Sequence, residues 1–108
     1  MQVLKLSLKK APFDVMVTGE KKKEFRDPAP YIKGRLVDSK TGKDKEYDLV
    51  EFTNGYGRDK PKFTVPFKGY KLVKEGVHET YSNGLEVDTL GQATYVISLG
   101  DDIVRMNC

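Results

Sequence analysis

Tryptophan is missing altogether, and cysteine and histidine occur once each. One cysteine excludes an internal disulfide framework, and one histidine excludes a multi-histidine metal centre. Without tryptophan, a Trp-lined cage for a methylated base is excluded, although Tyr and Phe can serve in its place. No apolar run approaches the length that spans a bilayer, so no membrane association is expected. The first ten residues, MQVLKLSLKK, alternate apolar with polar and lack the apolar stretch of a secretion signal. No Walker-type or dinucleotide-type glycine loop is present, and no cofactor is expected. What is present is enough for a small core: Leu, Ile, Val and Phe number 28 of 108 residues. The expectation is one soluble, cytoplasmic domain covering residues 1–108.

The net charge of +3 is modest, but it is unevenly placed. Residues 1–76 carry 18 Lys/Arg against 11 Asp/Glu, a net of +7, whereas residues 77–108 carry one Arg against five acids, a net of −4. Charge segregated in this way predicts a basic face able to attract polyanions, or simply a solvated lysine-rich surface. The acidic C-terminal third is open to a protein partner.

Apolar spacing predicts mostly β structure. Leu4, Leu6 and Leu8 alternate with Lys5 and Ser7, the mark of a half-buried strand. Pro12 suits the first turn of a short helix and Gly19 the left-handed position past its end, with Phe13, Met16 and Val17 on one face. Residues 21–26 read as extended, ending at Asp27-Pro28-Ala29-Pro30, where Asp27 can cap one helical turn through Tyr31 and Ile32. Strands are expected at 35–37, 46–53, 63–67, 70–73, 77–82, 85–89, 93–99 and 103–106. A mobile hairpin loop is expected around Thr41-Gly42, and Asn83-Gly84 is the strongest hairpin signal. This pattern predicts a mainly β protein with one or two short α-helices, arranged as a small closed or half-open barrel.

The informative segment is Gly19-Glu20-Lys21-Lys22-Lys23-Glu24-Phe25-Arg26. On a strand, Glu24 and Arg26 project to the same face, where they can form an ion pair or line one pocket. Lys21, at the junction before that strand, can lean over the same place. Arginine offers a planar fork for phosphate, lysine a point charge and glutamate an acceptor for exocyclic amines. Lys22 is a further cation of the segment. Asn54-Gly55-Tyr56-Gly57 is a glycine-rich turn whose tyrosine can stack on a base or pack over a loop.

The pattern Gly19-x-Lys21-x-x-Glu24-x-Arg26, following a strand and a short helix, resembles the signature of the activating signal cointegrator homology (ASCH) domain family. Pro12 to Val17 is similar to that family's helix, and Tyr95-Val96-Ile97-Ser98-Leu99 to its C-terminal strand. The resemblance is close through residues 3–27, fair at 46–56 and 93–105, and absent at 36–46 and 60–90. It implies a small PUA-like β-barrel with a cleft beside the first helix, and an RNA-binding role. Lys21, Glu24 and Arg26 match the family's cleft residues, and Asn54 and Tyr56 are placed near that cleft. RNA or a nucleotide-like ligand is the implied partner. One branch of the family hydrolyses N4-acetylcytidine with a Lys–Thr–Glu trio, and Glu24 stands at its threonine position. A carboxylate cannot replace a hydroxyl nucleophile without another mechanism. A small hydrolase acting on a modified nucleoside or RNA, with Lys21 and Glu24 as its candidate catalytic pair, is therefore the alternative.

Plainer roles stand beside these. Gly19 is a helix cap in any case, Glu24 and Arg26 can form a structural salt bridge, and the three lysines can be solvated. His78 beside Glu79 has no nucleophile partner, and Cys108 is terminal. Asp101 and Asp102 suit a turn better than a cation site, and no metal is expected.

Overall fold

In a computed structural model that describes residues 2–55 and 59–106, ten short elements follow one another. Strand β1, Val3–Leu8, is followed by helix α1, Lys10–Val17, strand β2, Lys23–Arg26, and helix α2, Pro30–Leu36. Six strands complete the chain: β3, Leu49–Asn54; β4, Lys62–Val73; β5, His78–Thr80; β6, Glu86–Asp88; β7, Thr94–Leu99; and β8, Val104–Met106. The protein is mainly β with two short helices, as the apolar spacing predicts.

The main sheet has the order β1-β3-β4-β7-β2, with β8 also paired to β4. Strands β1 and β3 are parallel and every other pairing is antiparallel. The barrel expected from the sequence is not closed: β1 and β2 remain the two ends of the strand order. Leu4, Leu6 and Leu8 pair in register with Val50, Phe52 and Asn54, so one face of β1–β3 is apolar and inward. Phe52 and Phe63 stack at 5.2 Å between ring centres, and Phe13 of α1 meets Phe63 edge-on at the same distance. Met16 from α1 and Ile32 and Leu36 from α2 complete this core.

The helix α1 begins before Pro12, which takes its third position, and Phe13, Val15 and Met16 are its buried residues. Gly19 is left-handed at φ +90°, the conformation expected after a helix end, and its N–H donates to the Met16 carbonyl. Three expectations are corrected. The strand at 35–37 is instead the end of α2, because Ile32 and Leu36, four apart, both seal into the core on one helical face. Asp27 is not its cap; Ala29 occupies that position and Pro30 opens the helix. Residues 63–67 and 70–73 form one strand, β4, bent by a register shift between Phe67 and Tyr70. Pro66 is tolerated because it pairs with Leu49, the first residue of β3 and one end of that ladder, and its carbonyl still accepts from the Gly100 N–H. The loop around Gly42 is a short hairpin closed by the Val37–Asp44 bridge.

Strands β5 and β6 form a separate two-stranded hairpin turned by Asn83 and Gly84. Its tip docks on the α1 end of the molecule. The Ser82 N–H and hydroxyl both donate to the Glu20 carboxylate, and the Asn83 amide donates to the Ala11 carbonyl. Among the described residues, no helix is long and apolar enough to cross a membrane.

Candidate functional site

The two ends of the sheet approach one another through side chains. Arg26, on β2, donates from Nη2 to the Ser7 carbonyl of β1 at 2.7 Å. Arg35, on α2, donates to the Lys5 carbonyl of the same strand. Carbonyls two residues apart on a strand are separated by about 6.6 Å, so two guanidinium groups sit a fixed step apart along β1.

Glu24 and Arg26 do share a face. Arg26 Nε and Nη2 donate to Glu24 Oε2 at 3.1 and 2.8 Å, a two-donor grip on one carboxylate oxygen. The other oxygen accepts from the Phe25 N–H at 3.0 Å and lies 3.6 Å from Lys21 Nζ. One carboxylate therefore serves two cations, and the trio carries one net positive charge. Burial of the Arg26 guanidinium opposes its charge, but Glu24 and the Tyr31 phenol more than offset this and raise its pKa.

Lys21 faces the other way. Its side chain is 1% exposed, donates to the Lys23 carbonyl, and lies over the Phe25 and Tyr81 rings at 4.9 and 5.9 Å. Burial lowers its pKa, with Glu24 as the main opposing influence. Tyr81 is itself pushed up to about 12, by burial and then by Glu79. The hairpin thus closes over the ammonium.

Two clefts meet at Arg26. The first, about 920 Å³, runs beside α1 and is bounded by Ser7, Lys9, Lys10, Glu24, Arg26 and Asn54. The second, about 360 Å³, lies on the outer face of β1 and β3 beside α2, where Lys5, Arg35, Glu51 and Thr53 converge. Ser7, Arg26, Tyr31 and Gly55 line both, which makes them one groove crossing the outer edge of β1. Five cationic side chains (Lys5, Lys9, Lys10, Arg26, Arg35) face three carboxylates (Glu24, Asp27, Glu51) along it. Tyr31, 62% exposed, stands where the clefts join.

Of the residues singled out in the sequence, Glu24, Arg26 and Asn54 line the groove. Lys21 touches Glu24 from beneath but lines neither cleft. Lys22 lies elsewhere, paired with Asp101 at 2.5 Å. Tyr56 falls outside the described residues. Tyr31, Arg35 and Glu51 were not anticipated. The signals for them were weak but present: Tyr31 and Arg35 are four apart behind Pro30, and Glu51 and Thr53 alternate with Val50 and Phe52. The β5–β6 pairing also gathers His78, Glu86 and Asp88, all exposed, with the imidazole 3.6 Å from Glu86. Comparison with family models, with curated proteins and with solved structures gives no match.

Proposed function

We propose that this chain is an RNA-binding module whose ligand lies in the groove crossing β1, and that it belongs with the PUA-like ASCH domains its motif resembles. The observation that carries the reading is the placement of Arg26. It joins the two clefts, keeps its charge beside Glu24, and stands with Arg35 at a short regular step along one strand. A chain of phosphates needs that kind of repeated, fixed positive charge. Lys9 and Lys10 extend the track past α1, and Tyr31 offers an exposed ring of the sort on which unpaired bases stack.

The hydrolase alternative draws support from the lowered pKa of Lys21, the shift a general base needs. Its geometry supports it less, because the ammonium sits beneath Phe25 and Tyr81 and outside both clefts.

The test is a titration of labelled single-stranded RNA at several salt concentrations. Phosphate contacts predict that log K falls with log salt by about 0.7 per contact on a single strand. Arg26→Ala is expected to lower both affinity and slope. Wild-type protein that binds no RNA at low salt would sink the reading, and release of an acyl group from a modified nucleoside would favour the hydrolase.

A further inference from the structure

The groove is not uniformly basic. In the register of β1 on β3, Lys5 lies opposite Glu51 and Ser7 opposite Thr53. These pairs form two rows on the face of the sheet turned away from the core, beside Tyr31 and Arg35 of α2. The Glu51 carboxylate is only 20% exposed, and its Oε1 forms an ion pair with Lys62 Nζ at 3.8 Å. At that separation the contact is an ion pair and not a hydrogen bond, so the carboxylate keeps acceptor capacity on the wall of an otherwise cationic cleft. A phosphate placed directly against Glu51 would meet a like charge, whereas one at the β1 edge would meet Arg26 and Arg35. At about 360 Å³ the cleft lies within the range of about 300–1,000 Å³ typical of small-ligand sites.

We infer that the outer-face cleft is a base-reading pocket selective for guanine in single-stranded RNA, with Glu51 as its specificity-determining residue. The inference rests on the RNA-binding reading and names what that groove discriminates. A carboxylate presents two parallel acceptors. Among the four RNA bases, only guanine presents two adjacent donors on one edge, N1–H and the N2 amino group. Thr53, two residues along on the same face, brings a hydroxyl able to donate to the neighbouring O6. Tyr31 supplies an aromatic wall, and Arg26 and Arg35 hold the flanking phosphates.

The experiment measures binding of short uridine-rich oligonucleotides that carry one central G, A, C or inosine. Inosine keeps N1–H and O6 but lacks the N2 amino group, so it probes the second donor without altering the protein. Wild type is expected to bind the G oligonucleotide about tenfold more tightly than the A, C or all-U ones. The inosine oligonucleotide should fall between them. Glu51→Gln is expected to erase the preference while leaving the salt slope intact, and Thr53→Val to reduce it. A Glu51 that serves only to pair with Lys62 would instead change stability and leave the base ranking unmoved. Equal affinity for all oligonucleotides, or a guanine preference that survives in Glu51→Gln, overturns the pocket and leaves RNA binding standing. No detectable binding of any oligonucleotide overturns both.

Discussion

The middle of the sheet and its seam are built by different means. Where β3, β4 and β7 meet, backbone ladders join the strands and sealed side chains such as Phe52, Phe63 and Ile97 fill the space between. At the seam, where β1 and β2 come closest, a guanidinium donates to one carbonyl. The first region excludes water and any ligand. The second is held by charged groups whose unused hydrogen-bonding capacity faces a groove. Incomplete closure and a place to bind are thus the same feature. A barrel fully zipped by backbone would have no use for Arg26 at this position.

Breaking the middle is expected to cost most. Phe52→Ala removes a fully buried ring in contact with Phe63 and should destabilise the fold by about 3–5 kcal/mol, measured by urea unfolding. RNA affinity of the fraction still folded should change little. Breaking the seam should show the opposite balance. Arg26→Ala leaves Glu24 without its two-donor grip and the Ser7 carbonyl without a partner, a loss of about 1–3 kcal/mol. It should nevertheless weaken RNA binding more than any lysine substitution along the groove.

A third prediction concerns Lys21, which lies beneath the seam. Its folded pKa is lowered, so between that value and the ordinary 10.5 the unfolded chain holds more protons than the folded one. Stability contributed by this residue therefore rises with pH across that window. Wild type and Lys21→Met, unfolded in urea at a series of alkaline pH values, should show a difference that shifts in favour of wild type as pH increases. A difference that stays constant would mean that Lys21 is better solvated than its burial implies. The smallest effect belongs to Lys22→Ala. The Lys22–Asp101 pair is exposed on both sides and off the groove, so stability should move by no more than about 0.5 kcal/mol. The salt slope of RNA binding should be unchanged.

Much of this arrangement was legible in the sequence wherever local rules decide it. Alternating leucines mark β1, Gly19 marks the end of α1, and the two-residue spacing of Glu24 and Arg26 puts them on one face. Such features depend on a few neighbours in the chain. The limits of α2 were not legible, because Gly34 disfavours helix locally and burial of Ile32 and Leu36 overrides it. Nor was the placement of Lys21, since its cover comes from Tyr81, sixty residues later. The outer-face cleft was the least visible. It exists only because β1 pairs in parallel with β3 across two helices and another strand, which no local pattern announces.

The two guanidinium groups seated on the Lys5 and Ser7 carbonyls also bear on how copies of this chain behave when crowded. A strand such as VLKLSL, alternating leucine with polar residues, is a ready template for strand addition by a second molecule. Such addition would need the acceptors that Arg26 and Arg35 already occupy. A second strand would first have to displace both arginines, so the charge that faces the groove also stands in front of the protein's own backbone.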